Sequence, residues 1–289
     1  MFTNFFQYVR NGKNSLPDKK YGVGVFLPAS RNRLIFCVAD YTNITMSGTL
    51  YLHKIIMKDF HDTSYLADLP VVQNLQRMGE LTFDSPVTFF VGENGSGKST
   101  LLEAVAISAG FNAEGGSRNF LFATKSTESN LHSYITLSRR AREKDGFFYR
   151  AESFYNAASQ IEDLDLNLNG YGGKSLHDQS HGESLLALVQ NRFRGNGLYI
   201  LDEPESALSP MRQMTLMLEI KRLVEEEHSQ FLIATHSPIL ITYPDADIFE
   251  VTPEAIQKTT YDKTASYQIT KRFLDDPKHM LDTLFESER

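Results

Sequence analysis

The densest chemistry in the chain is a single stretch, GENGSGKST, from Gly92 to Thr100, directly after the apolar run Val87-Thr88-Phe89-Phe90-Val91. It fits G-x-x-x-x-G-K-[ST] through Gly92, Gly97, Lys98 and Ser99, with a strand pattern before it and a helix-forming LLEAVAIS after it. Glycines in such a loop let successive N–H groups turn inward toward phosphate oxygens, where a Cβ would obstruct them. The backbone of Gly92, Glu93, Asn94, Gly95, Ser96, Gly97, Lys98, Ser99 and Thr100 is the expected cradle. Lys98 brings a mobile charge to the outer phosphates, the Ser99 hydroxyl suits Mg²⁺, and the opening helix adds its free N–H groups and positive end.

A second acidic motif lies downstream in GLYILDEP, Gly197 to Pro204, an apolar strand ending in two carboxylates. A parallel strand delivers its last residues to the carboxyl edge of the sheet, where the phosphate loop also sits. Asp202 is thereby expected to hold Mg²⁺, through water, and Glu203 to orient or deprotonate an attacking water. SHGES, Ser180 to Ser184, precedes a helical LLALVQNRF; a serine and a glycine at a helix start can form an anion site, but by itself the stretch reads as a plain N-cap, with Ser180 or Ser184 capping.

The elements that must position these groups alternate. YLHKIIMKDF and FDSPVTFFVG read as strands leading into the loop. LHSYITLSRR and GFFYRAESF, separated by AREKD, read as a hairpin. MRQMTLMLEIKRLVEEEH has helical period, with Met211, Met214, Leu218 and Val224 as its core-facing residues. SQFLIATHS and IFEVT are further strands, and ITKRFLDDPKHMLDTLFE is a final helical stretch. Strands alternating with helices give an α/β fold with a mostly parallel central sheet, an antiparallel β-hairpin subdomain and a short helical subdomain over 153–195. Residues 1–45 are broken by Asn11-Gly12 and Pro17-Asp18 and carry no chemistry; they read as an extension before a domain over 46–289.

Composition narrows the class. A formal net charge of −7 argues against a protein that coats nucleic acid through its overall field. The single cysteine, Cys37, excludes an internal disulfide or a cysteine zinc cluster and reads as a small core hydrophobe. No apolar run approaches the ~18 residues of a membrane span, so the expected location is the cytoplasm, without membrane insertion. Asp163, Asp165, Asn167 and Asn169 lack the closing glutamate of a calcium loop and read as a solvated face. Asp245 and Asp247 lack a further acidic cluster and read as a turn rather than a nuclease pair.

The order of the motifs is specific. A phosphate loop, S-x-G-E before a helix, Asp-Glu after an apolar strand, SALSP and a strand ending in Thr-His resemble, together, the ATP-binding-cassette (ABC) ATPases. The variants S-H-G-E, D-E-P-E and T-H-S-P, with RAESF, are similar to the soluble branch: small bacterial "AAA family" ATPases and RecF-like or chromosome-maintenance heads. The resemblance runs from about residue 50 to 289. It implies Mg²⁺-dependent ATP hydrolysis in a homodimer closed head to tail through ATP. In it, Ser180, Gly182 and Glu183 touch the γ-phosphate in the partner's loop, Ser206 to Ser209 cross the interface, and His236 senses the γ-phosphate. It further implies a Q-loop Mg²⁺ ligand, for which Glu152 is the candidate and Gln160 the second, and an adenine-stacking aromatic, for which Tyr65 is the candidate. A DNA-repair or phage-defence complex, with DNA or a protein as partner, is the expected setting; the alternative is the nucleotide-binding subunit of a transporter. The stretch between the hairpin and SHGES lacks heptads for a coiled-coil arm, and the stretch after His236 is short for a nuclease domain.

Overall fold

The computed structural model describes residues 50–117, 129–154 and 180–286. Cys37, Gln160, the residues 1–45 and the alternating acids at 163–169 lie outside these, as does most of the expected 153–195 subdomain.

The fold is built on β3 (Val87–Val91), all five residues of which are buried. A strand covered on both faces belongs inside a parallel sheet, and β3 has parallel neighbours on either side: β7 (Gln230–Ala234) and β8 (Asp247–Val251). Beyond β7 come β6 (Gly197–Asp202) and β5 (Asp145–Arg150), both parallel, while β9 (Ile256–Thr259) closes the far edge antiparallel to β8. The six-stranded order is β5-β6-β7-β3-β8-β9. Register aligns Arg150 with Asp202, Asp202 with Ala234 and Ala234 with Phe90, so four strands finish in one row.

Alternation along the strands divides the core between the two faces. Phe89, Phe147, Tyr199 and Phe231 face α3 (His181–Arg192) and α4 (Pro210–Glu225). Phe90, Phe148, Ile200 and Leu232 face the other way, toward α1 (Pro70–Met78) and α2 (Lys98–Ala109). A three-stranded antiparallel sheet covers α2: β1 (Leu52–Met57) between β2 (Glu80–Thr82) and β4 (Ile135–Arg139). Enclosure between two sheets explains why α2 is apolar almost all round. Gln230, fully buried, joins the sheets: its Oε1 accepts Tyr51 N–H and Leu52 N–H, both at 2.8 Å, and its Nε2 donates to the Leu52 carbonyl. Two C-terminal helices follow, α5 (Ala265–Asp275) and α6 (Pro277–Glu286), and neither has a buried residue.

The α/β class and the mostly parallel sheet stand as expected, but two details differ. The strands flanking AREKD do not form a hairpin: β4 joins the antiparallel sheet and β5 the central one. Their burial separates them, since Phe147, Phe148 and Tyr149 are all covered and need a sheet with two covered faces, whereas most of β4 is partly open. On α4 the apolar stripe is misread as core. Met211, Met214 and Leu218 are exposed, and Gln213, Leu216, Ile220, Leu223 and Val224 are the buried face.

At the opposite edge Asp145 closes the start of β5. It accepts hydrogen bonds from Arg192 Nη1 at 2.9 Å, Arg194 N–H at 3.0 Å and Tyr199 Oη at 2.8 Å. Burial would raise its carboxyl, but these donors and the Arg192 charge outweigh that and hold it below the usual carboxylate range. A depressed carboxyl contributes stability above its unfolded pKa and loses it as pH falls through the folded value. Asp145→Ala is therefore expected to cost about 3 kcal/mol in urea denaturation at pH 7, with the gap to wild type shrinking in strong acid.

Candidate functional site

The loop between β3 and α2 takes the curled form its glycines allow. Gly97 has φ +91°, and a Cβ there would lie 2.5 Å from Val71 Cγ1 of α1, so the position is closed to side chains on both counts. Val71 N–H also donates to the Ser96 carbonyl at 3.0 Å, so α1 fixes the loop from outside. Glu93, Asn94 and Gly95 form the exposed tip, while Ser96 is buried and Thr100 half-buried on the first turn of α2. Lys98 is buried, and its Nζ donates to the carbonyls of Gly92 (2.8 Å) and Glu93 (2.9 Å) and to Ser96 Oγ (3.3 Å). Burial lowers its pKa, opposed by the charges of Glu203, Asp202, Glu93 and Glu205. A pocket of about 280 Å³ runs along the loop, walled by Glu93, Asn94, His236, Glu250 and Pro253 among others.

The aligned strand ends bring the other groups to this loop. Ser99 Oγ donates to Asp202 Oδ1 at 2.9 Å. Burial pushes the Asp202 carboxyl up to about 6; Ser99 and Arg150 pull it down, and Glu203 and Glu152 push it up. Glu203 leaves β6 with φ 51° and ψ 52°, left-handed for a residue with a side chain, a conformation that costs of order 1 kcal/mol and is concentrated at functional sites. Its Oε1 stands 3.8 Å from His236 Nε2. That nitrogen is enclosed and has no hydrogen-bond partner among the described residues.

A hydroxyl and a carboxylate in contact, both hard oxygen donors, fit Mg²⁺. No set of three or more His, Cys, Asp or Glu forms a metal site among the described residues, so the remaining ligands would have to be substrate oxygens and water. Glu152 is in the turn after β5 with its side chain 83% exposed, 3.7 Å from Arg150 Nη2. Tyr65 is exposed at the start of a single turn, Tyr65–Asp68.

Ser180 caps α3 as expected. Its N–H donates to Glu183 Oε2 at 3.0 Å, as in a capping box, and its Oγ donates to the same oxygen at 2.8 Å. The hydroxyl and its backbone N–H, then Arg212, hold the Glu183 carboxyl below its ordinary value. Arg212, from α4, donates to Glu183 Oε1 at 2.9 Å and Ser180 Oγ at 3.1 Å. A Cβ on Gly182 would lie 2.5 Å from the Ala207 carbonyl, so this glycine lets the helix start meet the Ser206–Ser209 segment. Among the described residues, the side-chain bonds of Ser180 and Glu183 run to this cluster and none to the phosphate loop.

Sequence reading overlooked three residues: Arg212, Glu205 and Arg150. Arg150 Nη1 meets Glu103 Oε2 of α2 at 2.5 Å, and its Nε lies 3.8 Å from Asp202 Oδ2. Glu103, nearly covered, also accepts Ser129 N–H at 2.8 Å. The signal was present in RAESF, but it needed the β5–β6 register to show that Arg150 faces Asp202.

Two AAA-family profiles match the chain: "AAA domain" over residues 73–193, and "AAA domain, putative AbiEii toxin, Type IV TA system" over 176–242. No curated protein matches. Similar solved structures include CbiO1 from Clostridium perfringens, part of the ABC transporter complex CbiONQ. It has 17% identity and a TM-score of 0.42, over 80% of this chain and 99% of that one. MJ1267, an ATP-binding cassette of an ABC transporter, has 15% identity and a TM-score of 0.44, over 80% and 97%. The dimeric structure of MJ0796, a bacterial ABC transporter cassette, gives 15% and 0.37, over 63% and 88%. The two AAA-domain matches, with the phosphate loop and acid pair described above, support a P-loop ATPase. No described helix is long and apolar enough to cross a membrane.

The Arg150–Glu103 pair gives a stability test. Arg150→Met is expected to cost about 3 kcal/mol, because it leaves Glu103 buried without its cation. Combined with Glu103→Gln in a double-mutant cycle read by urea denaturation, it should show coupling of about 1–3 kcal/mol; simple additivity would show the pair to be inert.

Proposed function

We propose that the chain hydrolyses ATP to ADP and phosphate as an ATP-sandwiched homodimer, timing or driving a conformational change in a DNA-repair or phage-defence-type complex. The observation that carries the chemistry is the convergence at one sheet edge of Lys98 in its loop, the Ser99–Asp202 contact at 2.9 Å and the Glu203–His236 approach at 3.8 Å.

Lys98 and the loop N–H groups from Gly92 to Thr100 bind the phosphates. Ser99 and Asp202 would hold Mg²⁺, with Glu152 the further candidate ligand; the ion, when bound, would neutralise charge developing on the outer phosphates. Glu203 takes a proton from the attacking water, whose oxygen forms the new bond to the γ-phosphorus as the bond to ADP breaks. His236 faces the same phosphate. Ser180, Gly182 and Glu183 would complete the site of a second copy, and Arg212 balances the Glu183 carboxylate that would otherwise repel the incoming phosphate. The similarity of residues 176–242 to the AAA domain of a toxin–antitoxin system supports a defence setting.

Glu203→Gln is expected to bind ATP and dimerise while phosphate release falls roughly 10²-fold or more, measured by light scattering and a phosphate assay. Full turnover in that variant would remove Glu203 from the role. Lys98→Ala should instead lose ATP binding itself.

A further inference from the structure

The last ladder bond of β7 is Thr235 N–H to the Phe90 carbonyl, at 3.1 Å. The next N–H, that of His236, has left the sheet, and it donates to Glu205 Oε1 at 2.5 Å. Glu205 lies in the turn Pro204–Ala207, which opens at the left-handed Glu203; Glu203 N–H already donates to the Ala234 carbonyl of β7 at 3.0 Å, and the Glu205 bond adds a second tie, to the His236 backbone itself. Within the same turn, Ser206 N–H and Oγ both bind the Glu203 carbonyl, at 3.2 and 2.9 Å, making it a rigid mount. The second carboxylate oxygen, Oε2, is enclosed and has no donor among the described residues. Glu205 is itself half-buried, but an enclosed carboxylate oxygen without a donor is costly and is a poor choice for stability alone.

We infer that Glu205 is a positioning residue: by anchoring the His236 backbone to the Glu203 turn, it sets the approach of Glu203 and His236 on which hydrolysis depends. This rests on the functional reading above. What the anchor needs is an acceptor oxygen, not a charge. Misplacing a reacting group by about 1 Å can cost up to 10²-fold in rate, so loss of the anchor should appear in kcat rather than in ATP binding.

The test compares Glu205→Met, which fills the space without an acceptor, with Glu205→Gln, which keeps an acceptor oxygen. Glu205→Met should lower kcat about tenfold or more with KM for ATP changed less than about threefold, and Glu205→Gln should restore most of the loss. Independently of turnover, histidine labelled at Cε1 reports the ring of His236 by NMR in the protein alone, its signal identified by its loss in His236→Gln. That signal should move in Glu205→Met and hold its place in Glu205→Gln. If Glu205→Met does not fold by circular dichroism, Glu205→Ala replaces it. An unmoved signal in the acceptor-free variant, or a Gln variant that behaves like it, overturns the anchor. Absence of ATP turnover in the wild type overturns the functional reading instead, while the NMR comparison still decides the anchor.

Discussion

The parallel register of four strands is the constraint on which everything else depends. Arg150, Asp202, Ala234 and Phe90 end in one row, and each strand then releases its chain at the same height. The phosphate loop, the acid pair and the Thr-His segment are consequences of that row. An offset of one residue would turn Asp202 to the other face of the sheet and separate it from Ser99. Its hydrogen bond to Ser99 is the local expression of a pairing that extends across the whole sheet.

The edge so formed is acidic. Glu93, Asp202, Glu203 and Glu205 all act on one buried lysine, and Arg150 is shared among Glu103, Glu152 and Asp202. Asp202 is raised first by its burial, and the neighbouring Glu203 and Glu152 carboxylates add to that. A divalent cation relieves such an arrangement better than a monovalent side chain can. The same logic separates the site from the Asp145 cluster, where the Arg192 guanidinium, the Arg194 backbone N–H and the Tyr199 hydroxyl all donate to the carboxylate.

The phosphate loop, the LDEP strand and most helices were legible because their information is local: glycine spacing, an apolar run, a 3.6-residue period. The allocation of β4 and β5 to different sheets was not, because adjacent β-rich runs give no local sign of what covers them. The exposed face of α4 was misread for a related reason. Met211, Met214 and Leu218 share a face, and so do Leu216, Ile220 and Leu223, and only packing decides between them. Gln213 goes inside because Ser237 and the Leu208 carbonyl satisfy its amide, partners that lie far along the chain or across a turn. Arg150 and Glu205 escaped notice because their roles come from cross-strand and turn-to-strand contacts that no spacing encodes.

Helix α2 lies between two sheets, with Leu101, Leu102, Val105 and Ala106 all fully covered. Close-packed surroundings leave such a helix no cheap way to tilt or slide. Its first turn, which carries Lys98 and Ser99, is therefore set before any ligand arrives, and the entropy of ordering it belongs to folding rather than to association. Binding strength at this end of the molecule should follow the integrity of a core several residues away from it. A cavity opened beneath α2 would then be felt as a weaker grip on phosphate, even with every contacting residue unchanged.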